Sequence, residues 1–147
     1  MTNRKIMMLA GEPSGDLHGS NLASELKMAS PGIELFGVGG EKMRKAGVNL
    51  IFDLKDLAIT GLLDVIKNYF RLKKIQAALL SKVKDVRPDL IILIDYPDFN
   101  LRFAKKVKKL NLDIAAVGQW YSNRLESGAF PASRFDSGQR RFMFRNI

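Results

Sequence analysis

Five apolar residues in an unbroken run, Leu90-Ile91-Ile92-Leu93-Ile94, stand between Asp89 and Asp95. A strand with one wet face alternates apolar and polar side chains, so a continuous apolar run of strand length needs cover on both faces. That requirement points to a buried parallel sheet between layers of helix. Further strand-like runs are Ile6 to Ala10, Leu35 to Val38, Asn49 to Phe52 and Ile114 to Val117. Helical spacing of apolar residues predicts helices over Asp16 to Met28, Glu41 to Ala46, Gly61 to Val86 (as one helix or two) and about Asn100 to Leu110, with Arg87-Pro88-Asp89 as a stop. Strands alternating with helices read as βα units, so the expected fold is α/β, a parallel sheet with helices on both faces. A chain of 147 residues suits one such domain.

Composition excludes several chemistries. Without cysteine there is neither a disulfide framework nor a thiolate metal site, and one histidine, His18, cannot make a histidine cluster. No metal and no cofactor are expected. The apolar run near the N-terminus stops after five residues at Gly11-Glu12, which suits a strand rather than a signal peptide. No apolar stretch reaches the roughly 20 residues of a membrane span. A cytoplasmic protein with at most peripheral membrane contact is expected. The net charge of +9 favours anionic partners. Zinc-finger, RNP and helix-turn-helix signatures are absent, so nucleic acid is not expected among them.

Candidate site residues gather after two strands. Asp95 stands at the C-terminal tip of the apolar run, where open α/β sheets bind ligands. Pro97 fixes its own φ and is expected to make Tyr96 extended, with Asn100 capping the following helix. Asp98 and Asn100 suit either turn hydrogen bonds or ligand contact. After the first strand comes Gly11-Glu12-Pro13-Ser14-Gly15-Asp16-Leu17-His18-Gly19. Its glycines lie four apart, which fits neither the dinucleotide fingerprint nor the phosphate loop. Such a turn still allows close backbone approach, and amides at the start of a helix favour an anion or a polar sugar. Ser14 and Asp16 equally suit helix capping, and His18 suits either the crevice or an idle helix surface.

Four segments in order carry a family resemblance: Gly11-Glu12-Pro13-Ser14-Gly15-Asp16, Phe36-Gly37-Val38-Gly39-Gly40-Glu41-Lys42-Met43, Leu57-Ala58-Ile59-Thr60-Gly61-Leu62-Leu63-Asp64-Val65 and Ile94-Asp95-Tyr96-Pro97-Asp98-Phe99-Asn100. The stretch from about Lys5 to Leu112 resembles the N-terminal part of lipid-A-disaccharide synthase. The resemblance implies a Rossmann-like domain of a GT-B glycosyltransferase, on the acceptor side, with the sugar nucleotide held mainly by a C-terminal domain. It implies transfer of diacylglucosamine from UDP-diacylglucosamine to diacylglucosamine 1-phosphate in lipid A biosynthesis. Asp95 then matches the essential acid, and a carboxylate there suits a general base on the acceptor hydroxyl. Gly11, Glu12, Ser14, Gly15, Asp16, Asp98 and Asn100 become the expected substrate-binding set.

Acylated substrates give the helix from Gly61 a second reading. Leu62, Leu63, Ile66, Tyr69 and Phe70, interleaved with Lys67, Arg71, Lys73 and Lys74, have the composition of an interfacial helix at the anionic inner-membrane surface. Ordinary packing on the sheet with a solvated basic face is the other reading. A composition shift marks residue 113. Residues 1 to 113 hold 14 Lys and 5 Arg, whereas residues 114 to 147 hold 5 Arg and no Lys. The expectation is a domain over 1–113 and a frameshifted or truncated, poorly ordered tail over 114–147. A truncated chain that lacks the donor domain is expected to be inactive alone. The competing expectation is a non-catalytic remnant that binds acylated sugar phosphate or anionic membrane, and a free-standing nucleotide module fits the failed phosphate motifs poorly.

Overall fold

Burial alternates along the two central strands. Met7, Leu9, Ile91 and Leu93 join one core cluster, while Met8, Ala10, Ile92 and Ile94 join another on the opposite side of the sheet. The computed structural model describes residues 3–57 and 65–117. In chain order the elements are β1 (Lys5–Ala10), α1 (Pro13–Ala29), β2 (Glu34–Gly39), α2 (Glu41–Lys45), β3 (Asn49–Asp53), α3 (Leu54–Leu57), α4 (Val65–Val86), β4 (Leu90–Ile94), α5 (Pro97–Lys108) and β5 (Ile114–Val117). All pairings are parallel, and the strand order is β3-β2-β1-β4-β5. This is a Rossmann-like sheet. The first three strands run outward to one edge, then the chain crosses back to build the other side, so β1 and β4 flank the point where the order reverses.

Helices cover both faces. α1 and α2 bring Ala23 and Met43 onto Ile6, Met8, Leu35 and Ile94. α4 and α5 bring Ile75, Leu79, Val83, Phe103 and Val107 onto Met7, Leu9, Phe36, Val38 and Leu93. At about 1.5–3 kcal/mol for each large apolar side chain buried, these two layers are the main source of stability. Close approach of strands demands one glycine in particular. Gly37 has φ 147, and a Cβ there would lie 2.0 Å from the Met8 carbonyl oxygen.

Several boundaries differ from the sequence expectation. α1 starts at Pro13 rather than Asp16, because proline suits the first helical turn and Glu12 supplies the extended residue before it. α5 starts at Pro97, where proline again suits the first turn, so Asn100 lies inside that turn and does not cap the helix. Tyr96 is left-handed instead of extended, at φ 54 and ψ 60. Proline disfavours the right-handed region for its predecessor, and the turn takes the other way out. α3 has four residues, too few to show a period. β5 falls on the strand-like run Ile114 to Val117 and pairs with β4 from Ile91↔Ile114 to Ile94↔Val117, so it belongs to the sheet. Residues 118–147, and Gly61, Leu62 and Leu63 of the interfacial segment, lie outside the described residues.

Candidate functional site

Ala10 and Ile94 are register partners at the ends of β1 and β4, so the segments that follow them leave the sheet side by side. Gly11 and Glu12 stand next to Asp95 and Tyr96 in this way. A Cβ on Gly15 would lie 3.5 Å from the Ile94 carbonyl oxygen, which brings the start of α1 against the end of β4. Asp95 is half-buried; Glu12, Ser14 and Asp98 are exposed.

The turn after β4 is strained. Asp95 at φ 47 and Tyr96 at φ 54 are consecutive non-glycine residues in the left-handed region, a conformation that costs of order 1–3 kcal/mol each. Asn100 braces it. Its side-chain amide donates to the Asp95 carbonyl, and its backbone N–H donates to the Tyr96 carbonyl at 3.1 Å. Asn100 is 1% exposed, so its side chain is used inside the turn. That is the turn hydrogen bonding the sequence allowed for Asn100, made from inside the helix rather than from its cap.

Tyr96 spans the gap between the two segments. Its ring lies so close over Gly11 that a Cβ on Gly11 would sit 2.3 Å from Cδ1. The ring also meets Phe99, with centroids 5.8 Å apart and planes tilted by 32°. Burial, then the Glu12 and Asp98 carboxylates, push the Tyr96 phenol above its ordinary value, and the Arg71 guanidinium opposes them. Arg71 therefore feels the crevice. It is half-buried on α4.

Asp16 braces the start of α2. It is 5% exposed, and its Oδ1 accepts from the backbone N–H of Gly40 at 2.7 Å and of Met43 at 3.0 Å, while Oδ2 accepts from Lys42 at 3.1 Å. Those amides open α2, whose own N-cap residue, Gly40, has no side chain to satisfy them. A capping role was expected for Asp16, but on its own helix. His18 is half-buried, and its Nδ1 has no hydrogen-bond partner.

On α4, Lys67, Lys73 and Lys74 are exposed, as are Tyr69 at 44% and Phe70 at 58%. The two rings meet edge to face at 5.8 Å, and Lys73 Nζ lies 5.0 Å from the Tyr69 centroid. The side chain of Ile66 lies outside the described ones. Two polar residues of the buried face escaped the sequence reading. Gln76 donates to the Phe99 carbonyl at 3.1 Å and accepts from Lys106 Nζ at 3.1 Å, tying α4 to α5. Asn68 is 7% exposed with an unpaired Nδ2. A polar residue in an otherwise apolar helical stripe was the available signal for both. Among the described residues no group of three or more His, Asp or Glu is placed to hold a metal ion, and no helix is long and apolar enough to cross a membrane.

A solved structure titled as the calicheamicin glycosyltransferase CalG4 aligns over 97% of this chain and 40% of that one, at a TM-score of 0.48 and 12% identity. Curated relatives named lipid-A-disaccharide synthase are much nearer in sequence. The one from Coxiella burnetii (strain Dugway 5J108-111) is 40% identical over 114 residues, covering 78% of this chain and 30% of the relative. The one from Geobacter metallireducens is 43% identical over 129 residues, covering 84% of this chain and 34% of the relative. The chain thus spans about a third of the length of the curated relatives it matches. The family described as lipid-A-disaccharide synthetase matches residues 6–117, well over half of the sequence and the whole of the sheet from Ile6 to Val117. With its sheet and both crevice segments inside that match, the chain belongs to the lipid-A-disaccharide synthase family.

Proposed function

We propose that this chain forms the acceptor side of a glycosyltransferase that moves diacylglucosamine from UDP-diacylglucosamine to diacylglucosamine 1-phosphate. The observation that carries this reading is the meeting of the Asp95 turn and the Gly11 to Gly15 segment at the strand-order reversal, where sheets of this type bind ligands. In the proposed step the acceptor hydroxyl oxygen attacks the anomeric carbon of the donor sugar. The bond from that carbon to the UDP oxygen breaks, UDP leaves with the bonding electrons, and the hydroxyl proton passes to the Asp95 carboxylate. Gly11, Glu12, Ser14 and Gly15 border the acceptor sugar, with Asp98 across the crevice. Asp16 and Asn100 support this wall from behind through the hydrogen bonds described above. The exposed Tyr69 and Phe70, with Lys67, Lys73 and Lys74 on the same helix, suit contact with an anionic inner-membrane surface from the cytoplasmic side.

The test joins residues 1–117 to the remainder of the Geobacter metallireducens relative and follows disaccharide formation. Asp95→Asn is expected to lower kcat by about 100-fold or more, the usual worth of a positioned general base, while acceptor affinity changes little. An Asp95→Asn enzyme at full rate refutes the base assignment, and a joined protein with Asp95 intact that makes no disaccharide refutes the proposed reaction.

A further inference from the structure

The strained turn after β4 is held by three features of different reach. Pro97 denies Tyr96 the right-handed region. The Asn100 side chain closes the turn from within by donating to the Asp95 carbonyl. The Tyr96 ring reaches out of the turn, onto Gly11 at the end of β1 and against Phe99 on α5. Pro97 and Asn100 act whatever side chain stands at position 96. Contact with the segment after β1 is made by the side chain at 96 itself, and it requires both a flat ring there and the absence of a Cβ at Gly11.

The geometry points to Tyr96 as a positioning residue for the Asp95 carboxylate: its ring, seated on Gly11 and Phe99, keeps the turn left-handed and so sets where the carboxylate stands relative to Gly11 to Ser14. The reason Asp95 needs such placement rests on the proposed function. A catalytic carboxylate has to meet its proton within hydrogen-bond reach, and misplacement by about 1 Å costs about 100-fold in rate. Contact is through the ring, so the phenol hydroxyl is dispensable. Proximity of Glu12, Asp98 and Arg71 to that hydroxyl is then a property of the crevice wall, not a requirement of the step.

Two measurements separate this inference from the proposed reaction. The first uses the 147-residue chain and follows solvent exchange of the Asn100 side-chain amide hydrogens by NMR, with backbone amides of β1 and β4 as a check on the fold. Tyr96→Phe should leave Asn100 protected. Tyr96→Ala should speed its exchange by about tenfold or more while the strand amides stay slow, as for a local opening. Gly11→Ala, which leaves the turn's own residues untouched, should do the same by lifting the ring. Added to Tyr96→Ala, it should cause no further change. Unchanged protection of Asn100 in both Tyr96→Ala and Gly11→Ala overturns the inference. The second measurement uses the joined enzyme described above. Tyr96→Ala should lower kcat about 10- to 100-fold with acceptor KM within about threefold, and Tyr96→Phe should stay near the parent rate. A Tyr96→Phe enzyme as slow as Tyr96→Ala assigns the work to the hydroxyl and also overturns the inference. A parent enzyme that makes no disaccharide refutes the reaction, and the exchange measurement still decides the role of Tyr96.

Discussion

Replacing Asp16 by alanine removes one carboxylate and leaves three helix-opening amides without their acceptor. Two of them, Gly40 N–H and Met43 N–H, are buried, so water cannot take the place of Oδ1 without opening the contact between α1 and α2. A buried polar group left unpaired costs about 1–3 kcal/mol, so the pair amounts to about 2–6 kcal/mol. The Lys42 amide is only part-buried and can turn to solvent, so it adds little. A loss of about 3–5 kcal/mol is therefore expected, a large share of the roughly 5–15 kcal/mol that stabilises a typical domain. Asp16→Asn keeps one oxygen for Gly40 and Met43 but sets an amide donor against the Lys42 N–H, so about 1–2 kcal/mol is expected. Equilibrium unfolding in urea, followed by circular dichroism, gives both numbers. Acceptor affinity of Asp16→Asn, measured where the protein is fully folded, should match that of the parent, because both carboxylate oxygens are taken up by amides at the start of α2. An Asp16→Ala chain destabilised by less than about 1 kcal/mol, or an Asp16→Asn chain that folds well and loses the acceptor, would refute the capping argument.

Alkaline stability tests the surroundings of Tyr96. Its phenol is raised above the ordinary 10.0, so the folded chain still holds the proton where the unfolded chain has released it. The corresponding stability is intact below pH 10 and falls as pH rises through the folded value. Tyr96→Phe should make the decline above pH 10 shallower in urea unfolding across that range, and equal slopes would contradict the placement of the phenol. Membrane contact is tested by sedimentation with vesicles. The chain should pellet with anionic vesicles in a salt-sensitive way and Phe70→Glu should release it, whereas equal binding to neutral vesicles would refute the role given to the lysines.

The sheet was legible because it is written in short-range signals. Leu90 to Ile94 and Ile6 to Ala10 are apolar at every position, and the observed strands fall on both runs. Asp95 and Gly11 could likewise be set side by side, since the ends of adjacent parallel strands are neighbours once the order is known. What the sequence hid was long-range or stereochemical. Asp16 lies 24 residues from its nearest amide partner, Gly40, and helix-cap patterns look only a few residues away. Tyr96 was expected to be extended because the residue before proline avoids the right-handed helix region, a rule that leaves the left-handed region open. Helical spacing groups Arg71 with its neighbours on α4 but does not show that its guanidinium acts on the Tyr96 phenol. The buried Gln76 and Asn68 interrupt an apolar stripe, a mark that a search for purely apolar spacing passes over.

The central place of β1 has a consequence for how a ligand is received. Because β1 has β2 on one side and β4 on the other, the segment that leaves it is gripped from both flanks, by α2 through Asp16 and by the β4 turn through the Tyr96 ring on Gly11. Its conformational freedom was surrendered when the chain folded, so an incoming sugar meets a wall already in shape and bears little ordering cost there. The same double grip makes the wall a shared structural debt: weakening α2 or the turn before α5, each remote from the other, loosens one and the same receiving surface.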